Sequence, residues 1–350
     1  MNISTFSMAN KLITGTDSLN QLPEEVKRLG IKNPLIVTDK ILIQAGVVKQ
    51  VQNLLPMEPG VFSDVNPEPE IEIVEQCLQA IKVGNHDGVI AVGGGSAIDI
   101  AKAASVMATN KGKIKEYFGI NLVESPGLPL IAIPTTAGTG SEVTNISILS
   151  DTKEQVKKGI VSPFLLPDVA IVSPIMTITC PPSVTAASGV DALVHAVEAY
   201  ISKFASPITD ALAIGAMKLI STHLPKAYSN PENIESREAM ITASLMAGLA
   251  FGNAGVGAVH ALAYPLGGRF HIAHGVSNSL LLPYVMKWNK IACLERFRDI
   301  AEALGEKVGA VQKVRVTDFL EPLIFSLLKK MHKKIVLSSK MKLRHNITER

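Results

Sequence analysis

Cysteine is scarce in this chain. Its three cysteines, Cys77, Cys180 and Cys293, lie far apart and form no CxxC pair. That excludes a disulfide scaffold and a thiolate metal site, and it fits a reducing cytoplasm. Uninterrupted apolar runs of about 18 residues, the length of a membrane span, are also missing. The opening MNISTFSMANKLITGTDSLN lacks the charged start and apolar stretch of a signal peptide. Charged residues are only 19% against 47% hydrophobic, which describes a globular chain with a large buried fraction and not a disordered one. Internal repeats and long linkers are absent.

One absence is local. The last 40 residues, 311–350, contain no glycine and no alanine. They carry ten Lys and Arg against three acids, a local charge of +7, whereas the preceding residues are mildly acidic at −4. The overall +3 therefore hides two different segments. The tail's charge would suit an anionic surface. The acidic body gives no reason to expect nucleic acid.

With 350 residues, the chain is long enough for about two domains. Its first half alternates. NPLIVTD (33–39), DGVIAVGGG (87–95) and LPLIAIP (128–134) are apolar, β-rich runs. EIEIVEQCLQAIKVG (70–84) carries Ile71, Val74, Leu78 and Ile81 on one helical stripe, and SAIDIAKAASVMAT (96–109) reads as a helix with Ser96 as its N-cap. Strand, helix, strand, helix predicts a parallel sheet covered by helices. Beyond about residue 180 the strand signals vanish, and Ala-rich segments that are apolar nearly all round predict a helical bundle. The expected domains are 1–181 and 182–350, with the break near Pro181-Pro182.

Two loops of the first half suit a nucleotide. VIAVGGGSAIDIAK is a strand, a glycine turn and a helix, which together offer close backbone approach and free N–H groups to a pyrophosphate. It is not GxGxxG, and the acid suited to a ribose, Asp39, lies upstream instead of about 20 residues downstream. PTTAGTGSE (134–142) places hydroxyls at the end of the next strand, where an open α/β sheet forms its ligand crevice. A tight turn and a polar loop with local hydrogen bonds are the plainer alternatives for the two.

In the second half, GVDALVHAVEAY (189–200) sets Asp191 and His195 four residues apart, on one face of an apolar helix. His260, His271 and His274 follow within 15 residues of one another. A buried Asp needs a strong partner. Asp191, His195, His260 and His274 read as ligands of one divalent cation. Imidazole and carboxylate without thiolate suit Fe(II) or Zn(II).

These motifs, together with DVNPEP, IPTTAGTGSE, SPITDALA, GNAGVGAVHALAYPLGGRFHIAHGVSN and LLPYVMKWN, resemble the iron-containing (group III) alcohol dehydrogenases from about residue 5 to about 306. The resemblance implies an α/β nucleotide-binding domain with a parallel sheet plus an all-α metal-binding domain, the dehydroquinate synthase-like fold. It implies reversible, NAD-linked oxidation of primary alcohols or diols to aldehydes in a cytoplasmic homodimer or larger homo-oligomer, with neither nucleic acid nor membrane as partner. Fe(II), with Zn(II) as the alternative, would sit on the four ligands named above. Gly94, Gly95 and Ser96 would hold the pyrophosphate. Thr135, Thr136 and Thr139 would line the cofactor site, with Asn66, Asp99 and Lys157 nearby. Asp39 would bind the ribose hydroxyls and repel a 2′-phosphate, favouring NAD over NADP. His271 would lie near the substrate and relay the proton, or else be structural. A zinc- or NADPH-using polyol dehydrogenase or aldehyde reductase is the rival enzyme reading. The chain departs from the family pattern at Ser173, where Asp is common, and in the 311–350 tail. That tail reads as a truncated or frame-shifted end. A relative that binds NAD and metal without turnover is therefore the third reading.

Overall fold

A computed structural model of the chain describes residues 3–270 and 272–306. The 311–350 segment lies outside the described residues. Two compact units divide the chain, one of Phe6–Thr179 and one beginning at Cys180.

The first unit is built on a six-stranded parallel sheet. Its strands are β1 (Lys11–Thr14), β2 (Pro34–Val37), β3 (Gly60–Phe62), β4 (Gly88–Gly93), β6 (Leu130–Pro134) and β9 (Val169–Val172), in the order β1-β9-β6-β4-β2-β3. The central strands are apolar on both faces because both faces are covered. Leu35, Val37, Val89, Ala91, Leu130 and Ala132 face one core with helices α4 (Ile71–Val83) and α5 (Gly95–Thr109). Ile36, Ile90, Val92, Ile131 and Ile133 face the other, with α1 (Leu22–Arg28) and α3 (Val47–Leu54). A short helix, α2 (Lys40–Gln44), follows β2. From β2 the chain steps outward to β3, then crosses back to β4 on the other side of β2. That reversal opens a crevice at the carboxyl ends of β2 and β4, where ligands of such sheets bind.

A second, three-stranded sheet was not expected from the sequence. It runs β5 (Gly119–Ile120), β8 (Val156–Val161), β7 (Ile146–Asp151), with β7 and β8 antiparallel. Its strands are only half buried, and VKKGIV lacks the apolar run that marks the central strands.

The second unit is helical: α6 (Pro182–Tyr200), α7 (Pro207–Ser229), α8 (Ile234–Ala254), α9 (Ala258–Phe270), α10 (His274–Asn289) and α11 (Leu294–Ala303). α6 is buried without interruption from Gly189 through Tyr200, with α7, α8 and α10 packed on it. The sequence from 235 to 268 is not one helical run. Gly255 takes φ +77°, and α8 and α9 meet at 104° across residues 255–257. A left-handed backbone there costs glycine nothing, which is why the helix ends at this point. Among the described residues no single helix is long and apolar enough to cross a membrane.

Candidate metal centre and nucleotide site

α6 carries the metal-ligating pattern. Asp191, His195 and Glu198 are all buried and recur at i, i+4 and i+7, one stripe of the helix. His260 comes from the first turn of α9, and His274 opens α10. Single ligand atoms of Asp191, His195 and His260 lie within 4.8 Å of one another. Asp191 Oδ1 stands 3.8 Å from His260 Nε2 and 3.8 Å from His274 Nε2. The imidazole of His195 is sandwiched, with Phe251 at 4.1 Å and His260 at 4.4 Å between ring centroids. Tyr264 stacks on His274 at 6.0 Å. The structure thus brings the four candidate ligands together. His271 lies outside the described residues.

Close helix packing makes this convergence possible. A Cβ on Gly275 would lie 2.0 Å from the Ala187 carbonyl oxygen, so only glycine lets the start of α10 press onto α6. His274 is the neighbouring residue and is carried in by the same contact.

The electrostatics favour a cation. Burial works to raise the pKa of Asp191, but the imidazoles of His195, His274 and His260 and the Asn278 amide hold it below the ordinary carboxylate value. A buried carboxylate facing three imidazoles, with no thiol, is the donor chemistry of Fe(II) or Zn(II), so the residues present fit such an ion.

Sequence reading missed Glu198. Its carboxylate accepts from His260 Nδ1 at 2.6 Å, from Gly257 N at 2.9 Å and from Val259 N at 2.7 Å. It therefore caps the start of α9 and turns the Nε2 lone pair of His260 toward Asp191, as a carboxylate behind a ligating histidine does. Burial would raise its pKa, yet the hydrogen bond and charge of His260 and the two backbone amides keep it low. Its signal was visible as the third position of the α6 stripe.

The nucleotide-site candidates gather at the carboxyl ends of β4 and β6, whose last residues, Gly93 and Pro134, are register partners. Thr135 N donates to Gly93 O at 3.0 Å. A Cβ on Gly95 would lie 2.7 Å from Thr139 Cγ2, and one on Gly94 3.3 Å from Thr136 Oγ1, so the turn is glycine-rich partly to admit the threonine loop. Ser96 is not the N-cap. Gly94 is, in extended backbone, and the helix begins at Gly95. The Ser96 hydroxyl instead donates to Pro67 O at 2.6 Å, tying α5 to the loop that carries Asn66. Asp39 caps α2 by accepting from Leu42 N at 2.9 Å, and Leu42 packs beside Gly93. Lys157, on β8, is ion-paired with Glu68.

Asp99 is engaged on both oxygens, by Ser141 Oγ at 2.6 Å and Ile148 N at 2.9 Å. Below it, buried Lys102 donates to Thr144 O at 2.7 Å and Ile146 O at 2.9 Å. Burial pushes the pKa of Lys102 down to about 8 and that of neighbouring Glu142 up to about 7. Ser173 is buried and donates to Thr16 O at 3.1 Å, a local arrangement.

Known proteins share the sequence pattern and fold of this chain. The family profile described as "Iron-containing alcohol dehydrogenase" matches residues 9–174, and "Fe-containing alcohol dehydrogenase family, C-terminal" matches 185–340. The chain belongs to the iron-containing alcohol dehydrogenase family. The match to residue 340 runs further than the motifs, which stop near 306. Long-chain-alcohol dehydrogenase 1 of Geobacillus thermodenitrificans is 50% identical over 309 residues, covering 87% of this chain and 78% of that protein. A structure of 1,3-propanediol oxidoreductase superposes with a TM-score of 0.91 at 39% identity, covering 94% of this chain and 87% of its own. Sulfoacetaldehyde reductase from Bifidobacterium kashiwanohense, in complex with NAD+, gives 0.85 at 33% identity, covering 95% and 86%. This iron-containing alcohol dehydrogenase is an oxidoreductase with the parallel-sheet and helical units of its family.

Proposed function

We propose that this protein interconverts primary alcohols or diols and aldehydes by hydride transfer, using NAD and Fe(II), with Zn(II) as the alternative ion. The observation that carries the reading is the buried group of Asp191, His195 and His260, with His274 alongside. In it, Asp191 supplies the negative charge and the three histidines supply imidazole nitrogens. Glu198 holds the His260 tautomer, and Phe251 fixes the plane of His195. When bound, the cation supplies Lewis acidity to an alcohol hydroxyl, and the nicotinamide accepts hydride. His271 is assigned the proton relay.

On the nucleotide side, the N–H groups opening α5 at Gly95 and Ser96 face a pyrophosphate, supported by Thr135, Thr136 and Thr139. Asp99 acts by holding Ser141 and β7 in place. Asn66, beside the Pro67 carbonyl that accepts from Ser96, and Lys157, paired with Glu68 of the same loop, are assigned to the same site. Asp39 has one carboxylate oxygen on Leu42 and the other available to ribose hydroxyls, which disfavours a 2′-phosphate. We infer a cytoplasmic enzyme, a reading supported by three cysteines that form no disulfide, and a homodimer or larger homo-oligomer, a reading supported by the family resemblance.

The test is NADH formation with a panel of primary alcohols and diols, after anaerobic reconstitution with Fe(II) or Zn(II). His260→Ala and His274→Ala serve as controls. Metal-dependent turnover lost in both supports the reading. Folded protein that binds NAD and metal without turnover would favour the inactive relative. NADPH preference would overturn the role of Asp39.

A further inference from the structure

Asn278 lies on α10 four residues beyond His274, so the two share a helix face. It is fully buried. Its Nδ2 lies 2.6 Å from Asp191 Oδ1, 3.2 Å from His260 Nε2 and 3.3 Å from His274 Nε2. Three of the four candidate ligand atoms therefore face one carboxamide nitrogen, which has only two hydrogens to give. The other end of the same side chain is starved. Among the described residues, Asn278 Oδ1 is buried with no hydrogen-bond partner.

That imbalance is informative. Buried acceptors in folded proteins are nearly always paired, so a side chain that leaves one unpaired is poorly chosen for stability alone. The amide orientation follows from Asp191: at 2.6 Å from a carboxylate oxygen only a donor is tolerated, so the NH2 group faces the centre.

We propose that Asn278 is a positioning residue of the metal centre. Its amide holds the Asp191 carboxylate in one orientation and tempers its charge, so that a single oxygen is presented to the cation beside the two Nε2 atoms. Asn278 thereby sets the affinity and coordination geometry of the site without touching the ion. This rests on the metal-centre reading of Asp191 and its three histidines. A supporting partner that orients a ligating carboxylate changes metal affinity by about 10–100-fold when lost.

The experiment uses the full chain and Co(II) as a spectroscopic probe. Affinity is read by competition with a chromophoric chelator, and geometry by the visible d–d absorption. Asn278→Ala should weaken Co(II) binding about 10–100-fold and alter the d–d bands, because a freed Asp191 can bind through both oxygens. Asn278→Asp keeps the shape but faces Asp191 with a second carboxylate. Its chelator-treated form should melt below wild type, and Co(II) should raise its melting temperature by more than it raises that of wild type. Wild-type affinity and an unchanged spectrum in Asn278→Ala, with only a lower melting temperature, would make Asn278 purely structural and overturn the proposal. Failure of the wild-type chain to bind Co(II) would instead overturn the metal-centre reading and this inference with it. If Asn278→Ala does not fold, the two melting measurements on Asn278→Asp decide the matter alone.

Discussion

Replacing Glu198 with glutamine separates the two tasks of that side chain. The carboxylate serves three donors: Oε2 takes Gly257 N and His260 Nδ1, and Oε1 takes Val259 N. Glutamine keeps one oxygen and brings one NH2. With the oxygen in the Oε2 position, His260 and Gly257 stay bonded and only Val259 N loses its acceptor. The reverse orientation abandons two donors. Each unsatisfied buried donor costs about 1–3 kcal/mol, so the first orientation wins. Glu198→Gln should therefore lose about 1–3 kcal/mol of stability and still fold. Its metal affinity should fall further than its geometry suggests, because the negative charge behind His260 is gone. A loss of about 10–100-fold corresponds to roughly 1.4–2.8 kcal/mol. Glu198→Ala abandons all three donors and should cost about 3–9 kcal/mol by the same count. The assays are urea midpoints on chelator-treated protein and chelator competition for Zn(II). A glutamine variant with wild-type zinc affinity would refute the claim that Glu198 tunes His260. An alanine variant no less stable than the glutamine one would refute the capping of α9.

Gly275→Ala should be severe, because the added methyl meets backbone at 2.0 Å and neither α6 nor α10 can yield by a side-chain turn. The expected loss is about 3 kcal/mol or more together with weakened metal binding, read by urea midpoint and Zn(II) competition; wild-type values for both would contradict the close approach. Gly95→Ala should weaken NAD binding at least tenfold in a fluorescence titration by displacing Thr139. Thr139→Ser in the same chain should recover part of that loss, since the Cγ2 contact at 2.7 Å is removed. Glu142, buried beside Lys102, holds its proton more tightly folded than unfolded, with a pKa raised from 4.5 to about 7. Its contribution to stability therefore falls as pH rises through that window. Measured against Glu142→Gln, the wild-type melting temperature should drop between pH 4.5 and 7 and then level off; parallel profiles would refute it.

Much of the fold could be read from residue order. Continuous apolar runs such as PLIV, GVIAVG and LIAIP announce strands covered on both faces, and the structure places them side by side in one parallel sheet. Other elements had no such mark. β7 and β8 mix polar and apolar residues on half-buried strands, and their pairing depends on meeting each other. The cap of α5 was misread because Ser96 suits an N-cap by type. Gly94 took the position, and the Ser96 hydroxyl found a long-range acceptor, Pro67 O.

By itself, the sequence determined the spacing that local structure converts directly into geometry. Asp191, His195 and Glu198 share a helix face whatever else happens, and so do His274 and Asn278, because 3.6 residues make a turn. Tertiary structure alone decided that these two faces meet, with His260 between them. It did so through contacts that no local pattern encodes: the bare backbone of Gly275 against Ala187, the break at Gly255 that turns α9 away from α8, and the Glu198 carboxylate that caps the helix bearing His260. Helical periodicity acts within a few residues, whereas a centre built from three helices depends on packing between segments some 60 to 90 positions apart.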